Sequence, residues 1–178
     1  MPYTDPQSGH NPTTGQVIPA SWGDAVRDAE EYLARNKPHC RIRNTANISV
    51  PNATDTALTF NSERVDVGGM HSTGSNTSRI TVPASEGGFY LMGGGVQVAS
   101  NATGHRQVGI RLNGSTFLVA SRVAAATSGA TVMAVSTGYQ LAAGDYLELV
   151  VTQDSGGALN AEAGGNYTPE FWALWTAV

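Results

Sequence analysis

The chain has 178 residues, only 13% of them charged, and a formal net charge of −4. That length suits one ordinary domain with a core large enough to fold without covalent staples, and the single cysteine, Cys40, excludes an intrachain disulfide or a cysteine zinc site. The acidic balance and the lone lysine, Lys37, argue against a nucleic-acid surface, and no apolar run nears the ~18 residues of a membrane span.

Residues 1–20, with Pro2, Pro6, Pro12 and Pro19 and no periodicity, read as an extended arm. The leader MPYTDPQSGHNPTTGQ has neither a basic nor an apolar region of the secretory kind, so no signal peptide is expected. Residues 21–36, SWGDAVRDAEEYLARN, read as the one helix, with Ser21 as N-cap and Trp22, Val26, Ala29 and Leu33 at helical spacing. Asn36, Lys37 and Pro38 stop it. The stripe is narrow, which favours packing on a neighbouring surface over a self-sufficient coiled coil.

From about residue 40 the period becomes two. IRNTANISV and TALTF are expected as short strands separated by Pro51-Asn52, and RITV as a strand ending at Pro83. GFYLMGGGVQVA is a strand whose glycines suit a bulge or a close backbone approach. QVGIRL and STFLVAS flank Asn113-Gly114, a strong hairpin signal. TVMAVST and DYLELVV follow, and EFWALWTAV closes the chain with apolar residues on both faces. One face of that strand suits a position between two sheets; the other calls for a cover, of which oligomerisation is the simplest. The sum is a mainly β, antiparallel sandwich or jelly roll over residues 39–178, preceded by an arm and helix over residues 1–38.

Catalytic patterns are not expected. There is no G-x-S-x-G. His39 and Cys40 are adjacent, and adjacent strand residues face opposite ways. His10, His39, His71 and His105 sit in separate segments without ligand spacing, and Asp66 and His71 are joined by a Gly68-Gly69 loop. Asp145 and Glu148, three apart on a strand, fall on opposite faces and do not form an acid–base pair. Asp145 instead suits a turn residue that holds local amides, and Asp154 opens the next loop. The glycine runs lack the Lys-Ser/Thr of a phosphate loop. Six N-x-S/T sequons, at Asn47, Asn52, Asn76, Asn101, Asn113 and Asn166, read as composition rather than glycan acceptors.

RITVPASEGGFYLMGG, VGIRLNGST, VSTGYQLAAGDYLELVV and the terminal EFWALWTAV, in that order, resemble the trimeric jelly roll shared by the complement globular head and tumour necrosis factor, over roughly residues 57–178. There is no collagen-like stalk, and VDVGGMHSTGSNTS is unlike the animal domains. Residues 19–33, with the pattern P-x-x-W-x-D-x-V-R-D-x-E-x-x-L, look like the leader of jelly-roll proteins on tailed-bacteriophage particles.

The resemblance implies a non-enzymatic virion structural protein, without cofactor or metal. It implies a homotrimer on the particle surface, as a tail-associated fibre protein or a capsid decoration protein. Residues 1–38 are expected to attach it to other virion proteins, through Trp22, Val26, Tyr32 and Leu33. Phe60, Phe89, Tyr90, Tyr139, Tyr146, Phe171, Trp172 and Trp175 are expected in the core or the trimer interface. The polar loops 66–77, 100–106, 122–130 and 154–167, with His71, Asn76, His105 and Tyr167, are the expected surfaces for host glycans. The alternative is a stand-alone lectin-like carbohydrate-binding module; a glycan esterase or hydrolase on the same fold is a weaker third reading.

Overall fold

A computed structural model describes residues 20–165 and 169–177. The chain divides into two compact units, Met1–Lys37 and Pro38–Val178. In the first, helix α1 spans Ala20–Glu31 and runs on as a π-helical turn, Tyr32–Asn36. Ser21 therefore lies inside the first turn and does not cap the helix. The π turn, with i→i+5 pairing, breaks the 3.6-residue stripe: Ala29 and Tyr32 are buried, whereas Leu33 is 49% exposed. The arm expected before the helix falls outside the described residues.

The second unit is a two-sheet sandwich. Its strands are β1 (His39–Arg43), β2 (Ile48–Val50), β3 (Thr56–Ala57), β4 (Ser62–Val67), β5 (Arg79–Thr81), β6 (Gly88–Val98), β7 (His105–Leu112), β8 (Thr116–Ala124), β9 (Thr131–Leu141), β10 (Tyr146–Gln153), β11 (Leu159–Ala161) and β12 (Glu170–Ala177). One sheet has the order β2-β11-β6-β12-β1-β4, with β9 on the other edge of β6. The other has the order β3-β10-β7-β8, with β5 also on β10. All ladders between these strands are antiparallel. IRNTANISV is two strands, because residues 44–47 turn the chain from one region of the first sheet to another. Strand β11 lies in the expected loop 154–167, and β4 covers a segment not expected as a strand, its last two residues, Asp66 and Val67, falling in the expected loop 66–77.

Alternation builds the core. Leu147, Leu149 and Val151 of β10, Val108 and Ile110 of β7, and Tyr90, Met92, Val96 and Val98 of β6 all point between the sheets and are buried. Phe60 stacks on Phe171 with ring centroids 6.0 Å apart. Burying each such side chain contributes about 1.5–3 kcal/mol. The glycine run in β6 serves close approach, not a bulge, since the β6–β9 register is unbroken over its whole length. A Cβ on Gly94 would stand 2.7 Å from Leu149 Cδ1 and 2.9 Å from the Glu170 carbonyl. The two sheets therefore meet over a position that admits no side chain.

Two turns lock to each other at one end. Asn113 and Gly114 both have positive φ (49° and 71°), as a type I′ hairpin requires. The Asn113 side chain donates to Asp145 Oδ1 at 2.8 Å and accepts from the Tyr146 amide at 2.9 Å. Asp145 Oδ2 accepts from the Ala142 amide at 2.8 Å, closing its own turn. The Asn-Gly and Gly-Asp elements of the sequence are thus one hydrogen-bonded unit.

Candidate functional site

The outward face of the seven-stranded sheet carries the main concentration of exposed apolar side chains. Register aligns them in two rows across the sheet. One row is Gly138, Leu91, Leu174, His39 and Val67; the next is Ser136, Gly93, Trp172, Arg41 and Val65. Leu91, Leu174 and Val65 are exposed, as are Phe89 and Val132 on the same face. Glycine shapes the surface: a Cβ on Gly93 would lie 2.5 Å from Trp172 Cζ2, so the indole packs onto the bare backbone beside it. A Cβ on Gly138 would lie 2.6 Å from Phe89 Cζ, so that ring occupies the space above it.

Between these side chains runs an open groove of about 640 Å³, with Gly94, Gly95, Ala134 and Ser136 on one side and Trp172, Leu174 and Val65 on the other. Its polar end is Glu170, only 5% exposed, whose two carboxylate oxygens accept separately from Arg41 and Arg64. The surface is thus an apolar trench with a charged, internally paired end.

Of the aromatic residues expected in the core or an interface, Phe60, Tyr90, Phe171 and Trp175 are buried in the protomer. Trp172 is partly buried on the outward face, and Tyr146 is partly buried on the outside of the five-stranded sheet under the Arg79 guanidinium, 3.9 Å from its ring. Phe89 and Tyr139 are exposed at 39% and 43% and are not core residues.

The expected contact residues divide. His71 is a correction: it is buried, with Nδ1 2.8 Å from the Arg79 carbonyl and Nε2 3.3 Å from the Phe60 carbonyl. Its loop folds inward because Asp66 accepts from the amides of Met70 and His71, at 2.9 and 3.0 Å. Both polar groups are engaged in holding backbone, which removes them as a metal pair. Asn76 and His105 are exposed. Tyr167 lies outside the described residues.

The remaining acids are also placed. Glu148 is 6% exposed because its cross-strand neighbours, Arg79 and Arg111, close over it. Arg111 donates to Oε2 from Nη2 at 2.9 Å and Nε at 3.2 Å, and Ser78 donates to Oε1 at 3.3 Å. Both oxygens of this carboxylate are thus engaged in tying β5, β7 and the segment before β5 to β10. Cys40 faces the core, and burial, then Asp66 and Glu63, push its thiol far above the ordinary range, which disfavours the thiolate that reactivity needs.

Sequence reasoning missed Arg106, the largest fully buried side chain of the described residues. Its guanidinium donates to the carbonyls of Asn101 (2.8 Å), Thr103 (3.0 Å) and His105 (2.8 Å) and, among the described residues, meets no carboxylate. No signal in a lone His-Arg-Gln at a strand start distinguishes such a residue from a surface arginine.

No protein-family model matches the sequence, and no curated protein matches it. Solved structures do match. The chain is similar to murine APRIL crystallised at pH 5.0, with TM-score 0.57 and 12% identity, covering 79% of this chain and 99% of that one. It is similar to the globular domain of zebrafish complement 1qA, with TM-score 0.55 and 12% identity, covering 78% and 97%. Murine APRIL at pH 8.0 gives TM-score 0.58 and 11% identity, covering 78% and 98%. At these identities the likeness establishes the fold, a jelly roll of the tumour necrosis factor and complement-head type.

Proposed function

We propose that this chain is a non-enzymatic, self-associating jelly-roll module that works as a homotrimer on a bacteriophage particle, tied to it through residues 1–38. The observation that carries the self-association is the outward face of the seven-stranded sheet, where Phe89, Leu91, Val132 and Leu174 stand exposed around the trench. A contiguous apolar patch of this kind on a water-facing sheet favours a protein partner. A second copy of the chain fits best, because the order of sequence elements resembles jelly rolls that trimerise, and cyclic symmetry closes such contacts without leaving an open surface.

The non-catalytic reading is supported by the engaged state of Asp66, His71, Asp145, Glu148 and Cys40 described above. The particle setting rests on the likeness of residues 19–33 to virion leaders. Sedimentation equilibrium of the full chain at micromolar concentration tests the assembly, with three times the 18.5 kDa chain mass expected and a monomer refuting it. Deleting residues 1–38 should abolish incorporation into particles while leaving the trimer intact; full incorporation of the deleted form would remove the anchoring role.

A further inference from the structure

The loop before β7 and the end of β10 enclose a second, smaller depression, on the five-stranded sheet. It has a volume of about 200 Å³ and is lined by Ala53, His105, Gln107, Arg122, Thr152, Gln153 and Asp154. That is below the ~300–1,000 Å³ of pockets for drug-sized ligands and is suited to a single ring.

Its floor is fixed from beneath. Arg106 ties the carbonyls of Asn101, Thr103 and His105 together, and Asn101 Oδ1 accepts from the Thr103 amide at 2.8 Å. Gly104 has φ +75°, and a Cβ there would collide with the Asp154 carboxylate, so the loop and the acid fit only with glycine at this position. Asp154 Oδ1 accepts from the His105 backbone amide. That bond, the nearby imidazole and Arg122 hold the Asp154 carboxyl below its ordinary value of 3.8, so it is ionised at neutral pH.

The upper groups, by contrast, are unsaturated. Asp154 Oδ2 lies 3.7 Å from His105 Nδ1 and 3.6 Å from Arg122 Nη2, ion-pair distances outside hydrogen-bond reach. Among the described residues, the Arg122 guanidinium has the Asp154 ion pair and no hydrogen bond, and the Gln107 side-chain amide has no hydrogen bond. A fixed carboxylate acceptor therefore stands beside guanidinium and side-chain amide N–H groups that have no hydrogen-bond acceptor among the described residues. A hydroxyl both donates and accepts, so two neighbouring hydroxyls can bridge such a set, each donating to Asp154 and accepting from Arg122 or Gln107. A cation would be opposed by Arg122, and an anion by Asp154.

We propose that this depression binds a neutral saccharide unit through vicinal hydroxyls, with Asp154, Arg122 and Gln107 as direct contacts and Arg106 as the positioning residue. The site lies within one protomer and outside the trench, so it does not depend on self-association. The test is NMR titration of the isotope-labelled full chain with glucose, galactose, mannose, rhamnose and N-acetylglucosamine, to about 50 mM, the range of weak single-site binding. At least one sugar should shift the amide signals of His105, Gln107, Arg122, Thr152 and Asp154 along a common saturable curve. Arg122→Ala, at an exposed position, should weaken that binding by at least about tenfold and leave the rest of the spectrum unchanged. The proposal is overturned if no sugar shifts these amides saturably, or if binding persists unchanged in both Arg122→Ala and Gln107→Ala. It is equally overturned if inorganic phosphate or calcium chloride, rather than any sugar, saturates the same signals.

Discussion

Replacing Arg106 with Met keeps most of the aliphatic stem and removes the buried guanidinium. Two opposing terms set the outcome. Three hydrogen bonds at 2.8–3.0 Å to the carbonyls of Asn101, Thr103 and His105 are lost, each worth about 1.5–3 kcal/mol because the donor is charged. Against this, the folded state no longer has to hold a fully buried cation that has no carboxylate partner among the described residues, a relief of several kcal/mol. The Nε–H without a partner adds to that relief. The three carbonyls left without donors outweigh the relief, and the net loss is about 2–4 kcal/mol. Urea unfolding should show a lower midpoint with an unchanged slope, and amide exchange at residues 101–105 should accelerate first. Arg106→Lys, with one compact donor group, should fall between the two. Unfolding of Arg106→Met within about 0.5 kcal/mol of the parent would refute the argument and show that water serves the three carbonyls equally well.

Gly94→Ala places a methyl 2.7 Å from Leu149 Cδ1 and should cost about 1–3 kcal/mol by overpacking. Pairing it with Leu149→Ala should recover part of that loss, and strict additivity in denaturation would contradict the sheet-contact reading. Asp145→Asn should lower stability by about 0.5–2 kcal/mol, since it weakens acceptance from the Asn113 side chain and the Ala142 amide without opening a cavity. An unchanged melting midpoint would count against the turn lock.

Much of the sandwich was legible because its strands carry their own signals. Leu147, Leu149 and Val151 alternate within one strand, and Asn113-Gly114 and Gly144-Asp145 encode their turns locally. What the sequence alone did not show is that Asn113 and Asp145 bond to each other, which depends on how two hairpins stack. Elements that draw their stability from elsewhere were missed. Strand β4, SERVDV, is polar and edge-lying, with a register shift against β1 between Arg41 and Ile42, and β11 is three residues long.

The candidate sites follow the same division. The apolar outward face of β12 could be read from EFWALWTAV, but the trench beside it depends on Gly94, Gly95 and Ala134 from other strands. His71 looked like a surface loop residue because the carbonyls its ring nitrogens meet, those of Phe60 and Arg79, are 11 and 8 residues away. Glu148 is shielded by arginines 37 and 69 residues earlier in the chain, and register alone brings them beside it.

Self-association through the trench is the central claim, and a paired mass measurement by light scattering tests it most directly. Leu91 is 42% exposed in the middle of the face and packs outside the core, so Leu91→Glu should leave the circular dichroism and thermal unfolding of the protomer intact. The parent chain should give a trimer at micromolar concentration and Leu91→Glu a monomer. A monomeric parent, or a variant that stays trimeric, would contradict the account.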